Sequence, residues 1–363
     1  MTAHQTIRPR PGVLDIAPYV GGESGVPGAN RVIKLSSNEN PYGPSPKARE
    51  AYLKAGGALG LYPDGGHLAL RRAIAEVHGI DAGHIVCGAG SDELIALLCK
   101  AYAGPGDEVL YAEHGFLMYR LSALAAGATP VVAPERELTA DIDALIARLT
   151  GRTKLVFLAN PNNPTGTMVP DSEVGRLAEA LPPQALLVLD AAYAEYVRDP
   201  GHDGGIGLVR ARDNVAMTRT FSKIHGLAAL RLGWAYAPGH VIDVMNRVRG
   251  PFNVTAPALA AGEAAIRDTG WVEHCAITNE VWRDWLTKEI RAAGFGVTPS
   301  HGNFILVETG ARTAEADAHL KSRGLIARRV DGYGLPGHLR ISIGDEEGCR
   351  AVAHALRSFG GGA

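Results

Sequence analysis

Short runs of apolar residues alternate with helix-spaced amphipathic stretches through the first two thirds of the chain. The apolar runs predict strands at 84–87, 108–112, 129–133, 154–158, 185–190 and 214–218. The stretches between them predict helices at 46–55, 67–78, 92–103, 117–126, 140–149 and 171–180. Strands that are apolar throughout and separated by helices are typical of a mainly parallel sheet covered on both faces. In such sheets, ligands bind beyond the carboxyl ends of the strands.

The pattern changes after about residue 238. The elements predicted there are helices 239–249, 256–268 and 271–293, strands 303–307, 326–330 and 339–343, and a final helix 346–358. This mixture predicts a smaller α+β domain. Residues 1 to about 35 are rich in proline and glycine and predict an extended arm that is not packed. We therefore expect an arm with part of the small domain at 1–45, a large domain at 46–245 and a small domain at 246–363.

Composition and charge narrow the classes of partner. The 363 residues carry a formal net charge of −2 without a basic block, which argues against nucleic acid or an anionic membrane as the main partner. Met1 to Pro11 lacks the apolar core of a secretory signal, and no apolar run is long enough to span a bilayer. The four cysteines lack paired spacing, so neither a zinc site nor a disulfide framework is indicated. These features predict a cytoplasmic protein.

A lysine suited to covalent chemistry follows the predicted strand 214–218. Lys223 lies among small and apolar residues, surroundings that can desolvate an amine and make it a nucleophile. Ser222 and Arg231 supply a hydroxyl and a permanent cation, which suit a phosphate ester. Such a set suggests pyridoxal 5'-phosphate (PLP) held as an imine. An ordinary half-buried lysine at a strand end is the alternative that these residues alone leave open.

Two more segments place polar groups at predicted strand ends. The segment 160–166 contains two X-Pro pairs, which fix a rigid loop from which the Asn163 amide could donate in one direction, for example to a phenolate oxygen. Asp190 ends an apolar strand, where a carboxylate is costly unless it meets a cation or several donors. A pyridinium N–H would be such a partner, and Tyr193 can reach the same face. A helix N-cap is the alternative for Asp190.

The other candidates are weaker when taken singly. The turn 88–93 joins a strand to a helix, where free N–H groups and the helix dipole favour an anion, although a plain turn has the same pattern. Phe116 could stack on a planar ring or belong to the core. Arg328 and Arg340 lie in predicted strands and could bind a carboxylate or phosphate, or be exposed.

The ordered combination of these segments resembles the fold-type I PLP-dependent aminotransferases. The motifs that carry the resemblance are Asn-Pro-Asn-Asn-Pro-Thr-Gly at 160–166, Asp190 with Tyr193, Ser222-Lys223, and Arg231 eight residues on. Within that family, segments 37–44, 62–64 and 333–340 resemble the histidinol-phosphate aminotransferases. The resemblance covers essentially the whole chain. It implies an α/β fold, with a mainly parallel seven-stranded sheet flanked by helices in the large domain and a smaller α+β domain.

The resemblance implies a role for each group around the coenzyme ring. Lys223 would form the imine with PLP and then act as the base. Asp190 would pair with the pyridine nitrogen. Asn163 and Tyr193 would hold the ring oxygen, and Phe116 would stack on the ring, although the segment 113–116 replaces the commoner Pro-Thr-Tyr type of sequence.

The resemblance also implies which groups bind the anions. Those expected on the coenzyme phosphate are Ser222, Arg231 and the backbone of Gly90, Ser91 and Asp92. Tyr62 matches a tyrosine that reaches the coenzyme phosphate of the other subunit, which implies a homodimer with shared active sites. The positions near the acidic group of the substrate are Tyr19, the loop from Asn38 to Asn40 with Asn40 as the contact residue, Arg328 and Arg340.

We therefore expect a ping-pong transamination between L-histidinol phosphate and 2-oxoglutarate. Three alternatives stay open. An aromatic amino acid aminotransferase would use the same site, since the arginines can hold a carboxylate equally well, and a PLP decarboxylase of threonine phosphate resembles the same family. A ligand-sensing domain of a transcription regulator is disfavoured, because no basic DNA-binding segment precedes Pro11.

Overall fold

The computed structural model describes residues 7, 9–18, 21–27 and 31–360. In chain order its strands are β1 (Ile33–Lys34), β2 (Ile85–Gly88), β3 (Glu108–Ala112), β4 (Thr129–Ala133), β5 (Glu135–Arg136), β6 (Thr139–Ala140), β7 (Thr153–Ala159), β8 (Leu186–Asp190), β9 (Val215–Thr220), β10 (Gly233–Tyr236), β11 (Gly296–Val297), β12 (Phe304–Glu308), β13 (Leu325–Ile326), β14 (Arg328–Val330) and β15 (Leu335–Ser342). The α-helices are α1 (Pro46–Ala55), α2 (Leu68–His78), α3 (Ser91–Tyr102), α4 (Leu117–Ala126), α5 (Ile142–Ala147), α6 (Asp171–Ala180), α7 (Ile206–Ala211), α8 (Gly239–Val248), α9 (Ala256–Arg267), α10 (Thr269–Ala292), α11 (Thr313–Lys321) and α12 (Glu346–Gly360).

Seven strands form one sheet in the order β2-β10-β9-β8-β7-β3-β4. The pairs from β9 to β4 are parallel, and β10 runs antiparallel to both of its neighbours. The predicted α/β fold with a mainly parallel seven-stranded sheet is confirmed. The position of its antiparallel strand was not predicted, because β10 is short and begins at Gly233.

Alternation along each strand divides the core between the two faces of this sheet. In β8, Leu187 and Leu189 belong to one cluster of buried side chains, whereas Leu186 and Val188 belong to a second cluster on the other face. Asp190 has the same parity as Leu186 and Val188. Its side chain is therefore directed to the second face, where α3 and α4 pack.

A four-stranded antiparallel sheet with the order β11-β12-β15-β14 forms beside a third cluster of buried side chains. The prediction that the arm is not packed up to about residue 35 was wrong for its last residues, which form a strand. Ile33 and Lys34 pair in parallel with Leu325 and Ile326, which ties the arm to the C-terminal part of the chain. The three domain ranges themselves stay a prediction.

Local signals explain several helix ends. Ser45 and Thr255 cap α1 and α9 by accepting hydrogen bonds from the N–H groups of Ala48 and Ala258. The predicted helix 140–149 is shorter than expected, since its first residue pairs in the β5–β6 hairpin and Asp141 caps α5. Among the described residues, no helix combines the length and the apolar character needed to cross a membrane.

Candidate active site

A cavity of about 240 Å³ opens at the carboxyl edge of the seven-stranded sheet. Loops that follow β2, β3, β7, β8 and β9 meet there, as expected for parallel strands. The sequence-predicted residues that line it are Ser91, Asp92, Phe116, Asn163, Asp190, Tyr193, Ser222, Lys223, Arg231, Arg328 and Arg340. The structure therefore brings together groups that are far apart in the sequence.

Lys223 is the amine of this cavity. Its Nζ donates a hydrogen bond to the Ser37 carbonyl at 3.1 Å and lies 5.8 Å from the centre of the Tyr193 ring. Burial, together with the positive charge of Arg340, lowers the pKa of Lys223 to about 8. A large fraction of the amine is therefore neutral, and thus nucleophilic, in mildly alkaline solution.

Asp190 presents one bound and one unbound oxygen. Tyr119 donates from its hydroxyl to Asp190 Oδ2 at 2.8 Å, whereas Oδ1 is buried without a hydrogen-bond partner in the part of the chain that the structure describes. Burial raises the pKa of Asp190 to about 6, although the hydrogen bond from Tyr119 opposes this rise. An unpaired buried acceptor is costly, so Oδ1 suits a ligand that brings an N–H donor or a positive charge.

The Tyr193 hydroxyl is held by Asn38. The Asn38 side-chain amide donates to Tyr193 Oη at 2.9 Å, which leaves the hydroxyl hydrogen of Tyr193 available to donate. Asn38 adopts a left-handed backbone conformation (φ 56°), and its N–H donates to Ser342 Oγ at 2.8 Å. Asn303 donates to the Asn38 carbonyl at 2.9 Å. Asn38 thus connects the loop after β8 with the loop before β12 and the end of β15.

Asn163 is oriented by an arginine. Arg340 donates to Asn163 Oδ1 at 2.5 Å and to the Ser36 carbonyl at 2.7 Å. Because the Asn163 oxygen faces Arg340, its NH2 group is the part that remains for a ligand. Arg340 Nε is buried and has no partner among the described residues, so its N–H is a further donor that a ligand could use.

Ser222, Arg231 and the N-terminus of α3 form a site suited to an anion. Arg231 Nη2 lies 3.1 Å from the Asp92 carboxylate, and Nη1 donates to Ser222 Oγ at 3.3 Å. Gly90 precedes the helix with a φ of 87°, and a Cβ added there would overlap with the Arg231 guanidinium. The free N–H groups of the first helical turn and the helix dipole add to the attraction for a phosphate.

Several predicted site residues lie elsewhere. Asn40 does not line the cavity; its amide donates to the Ile224 carbonyl at 2.6 Å, so it contacts the segment that carries Lys223. Tyr62 is 83% exposed and stacks on Phe252, with 4.7 Å between ring centres. Tyr19 lies outside the described residues.

Some residues around the cavity were not predicted. The loop from Asn38 to Asn40 was expected near the substrate with Asn40 as the contact residue, and the hydrogen bond from Asn38 to Tyr193 was not predicted. Tyr119 follows Phe116 by three positions, the spacing that places two side chains on one helix face. That spacing was the available signal for Tyr119. Tyr333 lines the cavity and begins the segment 333–340 that carries the resemblance, but no role was assigned to it.

Comparisons with known proteins agree with this geometry. The family model described as aminotransferase class I and II matches residues 30–356. A relative named histidinol-phosphate aminotransferase from Ruegeria sp. (strain TM1040) is 59% identical over 98% of this chain and 99% of its own length. A relative of the same name from Dinoroseobacter shibae is 58% identical over 97% of this chain and 98% of its own length.

A solved structure adds the comparison of folds. Histidinol-phosphate aminotransferase from Sinorhizobium meliloti, in complex with pyridoxal-5'-phosphate, matches with a TM-score of 0.87 and 26% sequence identity over 99% of both chains. The family model and the two relatives each cover most of the chain. The chain belongs to the class I and II aminotransferase family.

Proposed function

We propose that this enzyme is a PLP-dependent aminotransferase that transfers the amino group of L-histidinol phosphate to 2-oxoglutarate, giving imidazole acetol phosphate and L-glutamate. The observation that carries the proposal is that one cavity holds three groups. They are Lys223 with its lowered pKa, Asp190 with its unbound buried oxygen, and the anion site at the N-terminus of α3. The names and high identity of the relatives support the choice of substrates.

The residues of the cavity fit PLP. The unbound Oδ1 of Asp190 matches the need of a protonated ring nitrogen for a buried anionic acceptor. The Tyr193 hydroxyl and the Asn163 amide each retain a donor, which suits a phenolate oxygen. Ser222 and Arg231, together with the first turn of α3, would hold the phosphate.

When bound, PLP supplies an aldehyde carbon that accepts the substrate amine and a ring that takes up electron density from the α-carbon. Lys223 Nζ accepts the proton from the substrate α-carbon, because burial lowers the pKa of this amine to about 8 and leaves much of it neutral at mildly alkaline pH. Asp190 would keep a proton on the ring nitrogen by charge pairing. Tyr193 and Asn163 would orient the ring through its oxygen.

Arg340 would bind the anionic end of both substrates. It is 6% exposed, and its Nη atoms are already fixed by Asn163 and the Ser36 carbonyl. A guanidinium held in this way can meet the phosphate of the amino donor in one half-reaction and a carboxylate of 2-oxoglutarate in the other. Arg328 lines the same cavity and donates to the Gly21 carbonyl at 2.7 Å, so it would contribute from the side of the arm.

A homodimer is part of the proposal. Tyr62, Leu61 and Leu59 are 83%, 74% and 71% exposed, and Phe252, on which Tyr62 stacks, is 43% exposed. A cluster of large apolar side chains at the surface is typical of an interaction site. The family resemblance implies that Tyr62 would then reach the coenzyme phosphate of the second copy. We also propose a cytoplasmic location, which the four unpaired buried cysteines support.

The substrates are tested by mixing purified protein, PLP, L-histidinol phosphate and 2-oxoglutarate and measuring glutamate. Phenylalanine, tyrosine and threonine phosphate serve as competing donors, and the Lys223→Ala variant is the matched control. We expect glutamate from histidinol phosphate at a kcat/KM well above that of either aromatic amino acid. The opposite order would identify an aromatic aminotransferase, and release of carbon dioxide from threonine phosphate without a keto acid would identify a decarboxylase.

A further inference from the structure

Tyr119 makes the one side-chain hydrogen bond that Asp190 receives within the described part of the chain. Its hydroxyl lies 2.8 Å from Asp190 Oδ2, and the residue is fully buried on helix α4. The two residues are 71 positions apart in the sequence. This contact has no part in binding an anion or in carrying the amine, so the proposed reaction alone does not account for it.

The surrounding rings hold the phenol in place. Tyr119 stacks on Phe157 with 4.7 Å between ring centres and 6° between the planes. Phe116, which lines the cavity, meets the ring edge at 5.9 Å and 88°. A ring packed in this way cannot turn its hydroxyl away from Asp190 without opening the core.

We propose that Tyr119 is a positioning residue that acts through Asp190: by occupying Oδ2 it fixes the carboxylate plane and leaves Oδ1 as the acceptor for the ring nitrogen of the coenzyme. The inference rests on the proposed function, since it requires PLP in the cavity. It assigns Tyr119 no contact with substrate or coenzyme.

The electrostatics of the pair support this role. The groups that face Asp190 are Tyr119 from α4, Asp92 from α3, Lys223 from the loop after β9, and Tyr193 and the Ala192 N–H from its own loop. Burial and the nearby Asp190 raise the pKa of Tyr119 well above its ordinary value, so it remains a donor throughout the working pH range. Removing this donor would raise the pKa of Asp190 further and so increase the fraction of its neutral form near pH 7.

The test compares Tyr119→Phe with Tyr111→Phe. Tyr111 lies in the same cluster of side chains, 6.1 Å away between ring centres, and its buried hydroxyl has no partner within the described ranges. The two variants therefore lose the same atom, but only one loses a bond to Asp190. The apoprotein of each is titrated with PLP at pH 7 and pH 9, and the visible absorption of the bound coenzyme is recorded at both values.

We expect Tyr119→Phe to bind PLP roughly tenfold more weakly than wild type at pH 7, with a smaller deficit at pH 9 where Asp190 ionises again, and to show a shifted absorption. Tyr111→Phe should bind like wild type. In an Asp190→Asn background, Tyr119→Phe should add little further loss, since residues that act through one another are not additive. This second measurement keeps the inference testable if the single variant is poorly stable.

The outcomes separate the two proposals. If wild type binds PLP and Tyr119→Phe has the same affinity and spectrum at both pH values, Tyr119 is only a core residue and the inference is overturned. An equal loss from Tyr119→Phe in the wild-type and Asp190→Asn backgrounds would overturn it as well. Wild-type protein that takes up no PLP would instead refute the proposed function, and this inference with it.

Discussion

Gly90 offers a direct test of the anion site, because the effect of its backbone conformation can be separated from the effect of its contact with Arg231. It adopts φ 87° and ψ 166°, a conformation that is nearly confined to glycine. A Cβ at this position would also overlap with the Arg231 guanidinium. The Gly90→Ala variant therefore strains the backbone and displaces the cation that would meet the coenzyme phosphate.

The two effects have different magnitudes and different targets. Backbone strain at such a φ and ψ costs about 1–3 kcal/mol and destabilises the folded protein whether or not PLP is bound. Displacement of Arg231 removes a charge-assisted hydrogen bond to phosphate, worth about 1.5–3 kcal/mol. That second loss affects only binding and corresponds to a roughly tenfold to hundredfold increase in the Kd for PLP.

Gly106→Ala is the matched control. Gly106 has a φ of 91°, but no atom lies within 4 Å of the position that its Cβ would take. Both variants are measured for urea-induced unfolding of the apoprotein and for PLP affinity. We expect both to be less stable than wild type and only Gly90→Ala to bind PLP more weakly. If Gly90→Ala binds PLP as tightly as Gly106→Ala, Arg231 does not hold the phosphate and the anion site is misassigned.

Three further variants test other parts of the structure. Lys223→Arg should lower kcat by roughly 10²–10⁴-fold, since arginine stays protonated, and borohydride should then attach no PLP to the protein by mass spectrometry. Burial lowers the pKa of His114, but its hydrogen bond to Glu135 and the negative charges of Glu135 and Glu113 together outweigh burial and raise that pKa above 6.5. The stabilisation is therefore complete below pH 6.5 and is lost as the pH rises through the raised value. Glu135→Gln should therefore lose more unfolding free energy at pH 6 than at pH 9, and equal losses would contradict the assignment. Arg340→Lys should raise KM for both substrates, whereas Arg329→Lys, an exposed residue paired with Asp331, should leave both KM values unchanged.

The sequence predicted the sheet well where the local pattern and the tertiary contacts agree. Strand 108–112, helix 117–126 and strand 129–133 have the predicted ends. Strand 108–112 is buried along its whole length, and the helix buries Tyr119, Ser122 and Ala123 on one face, so the local pattern and the packing agree. The β5–β6 hairpin was missed because its turn residues, Glu137 and Leu138, have φ values of 50° and 60° without being glycine or asparagine. Contacts with other parts of the fold, such as that of Leu138 with the cluster around Val330, are not visible in the local sequence.

The candidate site likewise contains residues that the sequence identified and residues that only the tertiary structure shows. Asp190, Ser222 and Lys223 were identified because each stands at or just beyond the end of a buried strand and because together with the other motifs they resemble an aminotransferase site. The difference between Asn38 and Asn40 could not be predicted. Two asparagines in one irregular loop have no periodicity, and only the left-handed backbone at Asn38 determines which of them reaches Tyr193.

The polar groups of the cavity share one arrangement that keeps them in place. Asp190, Tyr193 and Asn163 each accept a hydrogen bond from another side chain, supplied by Tyr119, Asn38 and Arg340 respectively. Each of the three side chains keeps one hydrogen-bonding group for a ligand: Oδ1 of Asp190, the hydroxyl hydrogen of Tyr193 and the NH2 group of Asn163. The hydrogen bond from the neighbouring side chain fixes the direction of that remaining group, so a ligand needs to order little when it binds. The cost is an unsatisfied polar atom such as Asp190 Oδ1, about 1–3 kcal/mol for a buried acceptor, which a ligand with the complementary donor removes on binding. The side chains that supply these bonds come from other elements of the fold. The sequence placed Arg340 at the site, but its hydrogen bond to Asn163, like those from Tyr119 and Asn38, depends on tertiary contacts that no local motif shows.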